Sequence, residues 1–458
     1  MSLKGRLLAI AVIFGLLAGI CYIGRNSGDF TGKVQPEEIP EEQKETLYFW
    51  YSDAEMTDFF GSAAVAFGEK RGVRVIPRLV SDNQYLEAIN KASLEDDHMP
   101  DVYLISNDFL GQAYLAGLAE RIDDPAGLCS QVNFPQTALS AVTYMDRIVA
   151  YPYYYDTSVL LYNKTYLEDW TAAQLAALEG ESGEQESGEE QIPENDTTLE
   201  ITPDMIEDGI PANFDELLAF ADHYDAPDNV EAVLKWDVSD ILYNYYFIGA
   251  YLEIGGESGD DETLINLYNE EAKQCLEIYQ ALNQFFFIDA DAVAYEAVLQ
   301  EFIEGKLVFT VVTADALQKL EQARADGTFA YEYGVATMPK PSAQLDGRSL
   351  SVTGCVAVNG YSHRKELANE FAAFLTGDYL GELYSRTGKV AAKLSENRDN
   401  EYLMTFRKEY ENAISLPKMI ETSNYWLWLE VAFARIWAGE DVDTQLQALN
   451  QQILSQFE

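Results

Sequence analysis

From Thr46 onward, short apolar segments alternate with longer amphipathic segments, and this order constrains the fold more than any other feature of the chain. The apolar segments at 46–51, 73–76, 101–106, 150–162 and 306–312 have the aliphatic and aromatic content of buried strands. The segments between them have helical spacing, at 53–70, 84–95, 109–119, 215–224, 295–304 and 314–325. Strands and helices in alternation form βαβ units, so we predict an α/β fold with mostly parallel sheets.

The charge of the chain excludes several classes of partner. Asp and Glu number 77 against 30 Lys and Arg, which gives a net charge of −47. Nucleic acids and anionic lipid surfaces are bound by clustered basic residues, so neither is expected as a partner through a basic surface. Phosphate-cradling glycine loops, nucleophile elbows and metal-ligand spacings of His or Cys are absent from the sequence. We therefore predict no cofactor, no metal site and no catalytic residues.

The N-terminus carries an uncharged run at 7–23 that follows two basic residues. We interpret residues 1–28 as a membrane anchor or signal segment, with the rest of the chain on the extracellular face of the cell membrane. Three alternatives stay open: an uncleaved anchor, a lipoprotein lipidated at Cys21, and a cleaved secretory signal. We favour the uncleaved anchor, because Ile20 stands where the lipoprotein peptidase needs a small residue.

Two acidic segments are too polar to form a core. Residues 29–45 contain acids and prolines, and we interpret them as a stalk. Residues 171–210 contain twelve acids and no Lys or Arg, which indicates a solvated surface insertion. A calcium site is the alternative, but the spacing of a calcium loop is missing.

Aromatic residues stand next to acids at the ends of several predicted strands. Ligands of open α/β sheets bind beyond the carboxyl ends of strands, where aromatic faces can stack on a ligand and carboxylates can accept its hydrogens. Core packing is the alternative for each residue taken singly. The pattern predicts a ligand cleft with the candidate residues Asp53, Tyr154, Tyr155, Asp156, Trp236, Asp237, Tyr425 and Trp426.

Five motifs in order carry a resemblance to a known family. The most specific lies at 150–164, where Tyr151-Pro152 and Leu161-Tyr162-Asn163-Lys164 are similar to the family's YG-x-P and L-x-YNK crossover. The chain resembles the bacterial extracellular solute-binding proteins of the maltodextrin-binding type, the receptors of carbohydrate ABC importers. The other matching segments are PANFDELL at 211–218, FIEGK at 302–306, KELANEF at 365–371 and WAGE at 437–440.

The resemblance implies an α/β, two-lobed periplasmic-binding-protein-like fold of type II, with hinge crossovers and an N-terminal membrane anchor. It also implies a division of the chain between the lobes. The first lobe would contain residues 46–153 and 354–411, and the second lobe 154–353 and the C-terminal helices of 412–458.

The resemblance also implies roles for individual residues. Asp53, Asp108 and Asp156 match positions that hydrogen-bond sugar hydroxyls, and Trp426 matches an aromatic that stacks on a sugar ring. Asp315 and Ile105 stand where the family has tryptophans. The loss of two stacking surfaces implies a ligand smaller or more polar than a long maltodextrin, with Asp315 among the candidate ligand-binding residues.

We therefore expect a monomeric, non-enzymatic receptor that binds a small solute, a carbohydrate, and passes it to the transmembrane subunits of an ABC permease. Two alternatives stay open. One is a ligand-sensing module that feeds a signalling kinase, and the other is an extracellular glycoside hydrolase that uses Asp156 and a second acid.

The first prediction concerns the attachment to the membrane. We expect the chain to remain in the membrane fraction through residues 7–23 with Cys21 unmodified, because Ile20 disfavours cleavage by the lipoprotein peptidase before Cys21. Metabolic labelling with radioactive palmitate tests this, with an Ile20→Gly variant as the matched positive control. Label on Cys21 of the parent chain would establish the lipoprotein instead.

Overall fold

The computed structural model describes residues 44–80, 84–95, 98–183 and 202–457. The predicted anchor at 7–23, nearly all of the predicted stalk, and the central part of the acidic insertion lie outside these residues. None of the helices in the described part of the chain combines the length and the apolar character that crossing a bilayer requires.

The strands follow in chain order. They are β1 (Thr46–Tyr51), β2 (Arg74–Leu79), β3 (Val102–Ser106), β4 (Thr143–Tyr144), β5 (Arg147–Ile148), β6 (Tyr151–Thr157), β7 (Val159–Asn163), β8 (Ala232–Leu234), β9 (Glu253–Gly255), β10 (Asp261–Asn266), β11 (Leu307–Val312), β12 (Tyr333–Ala336), β13 (Leu350–Val358), β14 (Val390–Ala391) and β15 (Ile414–Ser415).

The α-helices lie between and after these strands. They are α1 (Thr57–Arg71), α2 (Tyr85–Glu95), α3 (Leu110–Leu115), α4 (Gln136–Val142), α5 (Lys164–Gly183), α6 (Pro203–Glu207), α7 (Phe214–His223), α8 (Glu270–Phe286), α9 (Tyr295–Ile303), α10 (Asp315–Ala325), α11 (Lys365–Gly377), α12 (Leu383–Thr387), α13 (Glu401–Asn412), α14 (Tyr425–Trp437) and α15 (Val442–Leu454).

The first sheet has the strand order β14-β6-β13-β3-β1-β2, with β15 beside β13. β1 runs parallel to β2 and β3, as the βαβ pattern predicts. β13, however, runs antiparallel to both β3 and β6. The prediction of mostly parallel sheets is therefore wrong, because β13 returns from the second lobe and enters this sheet from the opposite end.

The second sheet has the order β12-β7-β11-β8. β7 is antiparallel to β11 and β12, and β8 is parallel to β11, so this sheet is mixed as well. Its apolar core extends to helices α7, α8, α14 and α15, so the C-terminal helices pack in the second lobe.

The two sheets are joined where the segment predicted as one strand at 150–162 divides. β6 belongs to the first sheet and β7 to the second, with the fully buried Ser158 between them. β13 brings the chain back to the first sheet, and the residues after β15 lead it to α14. The lobe boundaries at 153, 353 and 411 stay a prediction, although β6 as a whole pairs within the first sheet.

The acidic insertion is helical at both ends. Residues 171–183 continue α5, because the segment is rich in Ala and Leu, which favour helices. At the other end, Ile206 of α6 is buried in the core of the second lobe. Residues 171–177 are exposed or half-buried, which agrees with a solvated surface insertion, whereas the buried Ile206 departs from that expectation. Residues 184–201 lie outside the described part.

A fully buried acid ties the first sheet together. Asp101, immediately before β3, accepts hydrogen bonds from the backbone N–H of Tyr48 at 2.9 Å and from the hydroxyl of Ser362 at 2.6 Å. Arg364 lies 3.4 Å from the same carboxylate. These contacts fix β1, β3 and the turn after β13 relative to one another.

We predict that Asp101→Ala lowers the free energy of unfolding by about 3 kcal/mol, because it leaves a buried N–H and a guanidinium without their acceptor. Asp378→Ala is the matched control, since Asp378 forms an exposed ion pair with Lys70 and should cost less than about 1 kcal/mol. Chemical denaturation measures both variants, and equal losses would show that the Asp101 contacts contribute no more than a surface pair.

Candidate functional site

Two acids predicted from the sequence meet around a lysine at the edge of the first sheet. Asp53 follows β1, Asp156 lies near the end of β6, and Lys389 directly precedes β14. The Lys389 ammonium is 3.3 Å from a carboxylate oxygen of Asp156 and 3.9 Å from one of Asp53. The three side chains are 23–28% exposed, so solvent or a ligand can reach them.

Tyr154 adds an aromatic face to this group. The Lys389 ammonium lies 5.3 Å from the centre of the Tyr154 ring, which is a cation–π distance. Gly354 pairs with Tyr154 in the sheet, and a Cβ there would lie 2.5 Å from the ring. Only glycine leaves this space, so the ring can lie against the β13 backbone. We call Asp53, Tyr154, Asp156 and Lys389 the Lys389 cluster.

Asp315 approaches the Lys389 cluster from the second lobe. It begins α10 after β11, and a Cβ on Gly388 would lie 3.6 Å from its Cα and Cβ atoms. The Asp315 carboxylate accepts hydrogen bonds from the hydroxyls of Thr313 at 2.5 Å and Tyr295 at 3.2 Å. Lys319 pairs with it at 2.8 Å. Acidic groups from both lobes therefore meet at this place.

The pKa values in this group follow from burial and from neighbouring charge. Burial raises the pKa of the Asp156 carboxyl, and the Asp315 and Asp53 carboxylates add to the rise, while Lys389 opposes it. Burial lowers the pKa of the Lys389 ammonium, but the carboxylates of Asp156 and Asp53 outweigh burial and hold that pKa above its ordinary value. Lys389 is thus a fixed cation at neutral pH.

A second pair of predicted residues lines a small cavity between the lobes. Asp108 follows β3 in the first lobe, Trp426 lies in the first turn of α14, and both line a cavity of about 40 Å³. This volume holds on the order of three water molecules and no sugar ring. Gln112 and Ser423 join the two lobes beside it through a hydrogen bond of 3.0 Å.

The polar atoms of this second pair have local partners. Asp108 accepts a hydrogen bond of 2.5 Å from the Ser106 hydroxyl. Burial raises the pKa of the Asp108 carboxyl, and the Ser106 hydrogen bond opposes that rise. Trp426 is half-buried and its side chain hydrogen-bonds to Glu430. Both side chains are thus held by contacts within their own lobe.

Two predicted residues near position 236 serve the structure of the second lobe. Trp236 is fully buried in its core, and its indole N–H donates to Asn244 at 2.8 Å. Asp237 accepts hydrogen bonds from the backbone N–H groups of Ser239 and Tyr295. Neither side chain presents a surface to the cleft, so we leave both out of the proposed site.

Two of the predicted tyrosines are also enclosed. Tyr155 stacks on Tyr410 with ring centres 3.8 Å apart, because alternation along β6 turns it away from the face that carries Tyr154 and Asp156. Tyr425 borders the small cavity but is 1% exposed, and its hydroxyl lies 3.2 Å from that of Tyr245. Tyr155 and Tyr425 are therefore packing residues of the protein interior.

The sequence reasoning missed Lys389. The sequence does contain a weak signal for it. Basic residues are scarce in this chain, 30 among 458, and Lys389 stands between Gly388 and the apolar Val390-Ala391. Nothing local, however, indicates that this lysine lies beside Asp156, which is distant in the sequence.

Comparison with known proteins identifies the family of the chain. The family described as bacterial extracellular solute-binding protein matches residues 62–390, which is most of the chain. The chain belongs to the bacterial extracellular solute-binding proteins. Asp108, Asp156, Asp315 and Lys389 lie inside the matched range.

Solved structures of similar fold cover nearly the whole chain. An extracellular solute-binding protein from Staphylococcus aureus in complex with maltose has a TM-score of 0.70 at 19% identity, covering 90% of this chain and 98% of that one. A cyclo/maltodextrin-binding protein complexed with maltotetraose has a TM-score of 0.70 at 18% identity, with coverages of 93% and 99%. The maltose-binding periplasmic protein of Listeria monocytogenes has a TM-score of 0.68 at 18% identity, with coverages of 90% and 97%. At these identities the likeness establishes the two-lobed α/β fold.

We predict that Asp156→Ala and Trp426→Ala each weaken solute binding about thirtyfold or more, since removing a buried anchor costs about 2 kcal/mol. Calorimetry with the solute that stabilises the protein gives the affinities. Asp58→Ala and Leu427→Ala are the matched controls, because both side chains are exposed, Asp58 in the first turn of α1 and Leu427 next to Trp426. Affinities of both test variants within threefold of the parent would contradict this site.

Proposed function

We propose that this protein is an extracellular receptor that binds a sugar between its two lobes and delivers it to an ABC permease. The observation that supports this most directly is the meeting of the Lys389 cluster with Asp315 across the lobes. Asp108 and Trp426 extend the same facing edges. The family and the fold support a solute-binding protein. The chemistry of these residues suggests the class of solute.

The side chains offer what a sugar needs. Carboxylates accept hydrogen bonds from sugar hydroxyls, and an ammonium donates to hydroxyl and ring oxygens. The Trp426 indole can stack on the apolar face of a pyranose ring. Asp53, Asp108 and Asp156 are the proposed acceptors, Lys389 is the proposed donor, and Trp426 is the stacking surface.

The site favours a short or strongly polar sugar. Ile105 is 6% exposed, so it offers no stacking platform at the cleft. Asp315 is a charged group, held by Lys319 and two hydroxyls. The sugars named for the similar structures are maltose and maltotetraose. For this chain we propose a shorter ligand than the tetraose, because both of these positions lack an aromatic face.

The remaining parts of the proposal concern the whole molecule. We propose that residues 7–23 anchor the chain to the extracellular face of the membrane and that the receptor acts as a monomer of two lobes. The lobes would divide at the boundaries given by the sequence, and the cleft would open and close about β6 and β13. This proposal includes no enzymatic step.

A thermal-shift screen tests the function directly. A ligand of the folded state stabilises it by RT ln(1 + [L]/Kd), which is about 2.7 kcal/mol at one hundred times the Kd. We expect a rise in melting temperature with at least one of glucose, galactose, maltose, lactose and maltotriose, and a weaker or equal rise with maltotetraose. No shift with any neutral sugar, alongside a shift with amino acids or peptides, would overturn the proposal.

A further inference from the structure

The backbone holds Lys389 in register with the cleft acids. β14 pairs with β6 so that Val390 lies opposite Tyr155 and Ala391 opposite Tyr154. Because the pairing is antiparallel, Lys389 is the next residue along and lies beside Asp156. Gly388 adopts a left-handed conformation, with φ of +73°, which lets α12 end immediately before this point. The position of the ammonium follows from the sheet rather than from a flexible loop.

Lys389 therefore occupies the space between two carboxylates that would otherwise face a ligand without a counterion. Its distances of 3.3 Å to Asp156 and 3.9 Å to Asp53 are those of ion pairs. The centre of the Tyr154 ring lies 5.3 Å from the ammonium. Two carboxylates and an aromatic face are the partners that a ligand ammonium would need, and here a side chain of the protein has taken that place.

We propose that Lys389 determines the charge preference of the cleft: it excludes cationic solutes such as amino sugars and leaves a site for uncharged sugars. This inference rests on the proposed function for its sugar, but the role of the lysine can be tested separately. A ligand ammonium would have to share the two carboxylates with the lysine ammonium at close range, which like charges oppose. An uncharged hydroxyl group meets no such repulsion, because it can donate to a carboxylate and accept from Lys389.

The alternative is that Lys389 forms only a structural ion pair. Several observations oppose this alternative. All three charged side chains are partly exposed at the cleft, and the longer contact, to Asp53, is not a hydrogen bond. Asp315 from the second lobe also contributes to the raised pKa of the lysine, so the ammonium interacts electrostatically with acids of both lobes. If the ion pair were purely structural, removing it would leave the solute preference of the cleft unchanged.

The experiment compares Lys389→Ala and Lys389→Met with the parent. Lys365→Met is the matched control, since it removes one positive charge from an exposed pair with Glu120 on the same lobe. Calorimetry uses glucosamine as the cationic probe, and glucose and N-acetylglucosamine as its uncharged counterparts. A second measurement follows the melting temperature in ethylammonium chloride against sodium chloride of equal concentration, which requires no sugar.

We expect ethylammonium to stabilise Lys389→Ala at a concentration at least tenfold lower than it stabilises the parent or Lys365→Met. The ratio of glucosamine to N-acetylglucosamine affinity should rise at least tenfold in the same variant. Adding Asp156→Asn to Lys389→Ala should abolish both gains, because it removes one of the two vacated carboxylates. The Lys389→Met variant should lose affinity for uncharged sugar without the gain, since its side chain still fills the space.

Equal responses of the parent and Lys389→Ala to ethylammonium and to glucosamine would overturn the inference. A parent that binds none of the neutral sugars would overturn the proposed function instead, and the ethylammonium comparison would still decide the role of Lys389. If Lys389→Ala does not fold, the response of Lys389→Met to the uncharged sugars decides, and unchanged affinity there also contradicts the inference.

Discussion

The antiparallel pairing of β6 with β13 is the constraint on which the rest of the structure depends. β6 continues into the second sheet, and β13 returns from the second lobe, so their shared register sets the relation of the two lobes. The Thr157 hydroxyl donates to the carbonyl of Leu350 at 2.8 Å, which locks the pair at the crossover. Asp156 lies opposite Val352 in the same ladder. The crossover and the candidate site are therefore parts of one strand pair, and a ligand on Asp156 would act directly on the connection between the lobes.

The local sequence was sufficient to predict those helices and strands whose positions depend on their own residues. The helix at Phe214–His223 lies within a residue of the predicted segment at 215–224, and the Asn213 side chain caps its start by accepting from the backbone N–H of Glu216 at 3.0 Å. β1, β3 and β11 lie within a residue of the predicted segments, because their residues are apolar on both faces. Asp53 was proposed from its position after a predicted strand, whereas Asp108 was proposed from the family resemblance.

The parts that could not be predicted depend on contacts between distant segments. Lys389 enters the cleft only because β14 pairs with β6, and a two-residue strand leaves almost no signal in the sequence. Trp236 was expected at the cleft because it precedes an acid, yet its indole N–H is satisfied by Asn244 within the core. An aromatic residue beside an acid has the same local pattern in both situations. Burial separates them, and burial is a property of the folded chain.

Hydrogen bonds join the facing edges of the cleft in the part of the chain that the structure describes. The Tyr384 hydroxyl donates to the Ala314 carbonyl at 3.1 Å on one side, and Gln112 donates to Ser423 on the other. A neutral hydrogen bond of this kind contributes on the order of 1 kcal/mol to closure. The negative charges of Asp156 and Asp315 oppose closure, since the Asp315 carboxylate helps to raise the pKa of the Asp156 carboxyl. A ligand shifts such an equilibrium by its differential affinity for the two states. A sugar that donates hydroxyl hydrogens to both acids would replace their repulsion with hydrogen bonds from each lobe, and the balance between open and closed forms would then depend on the solute.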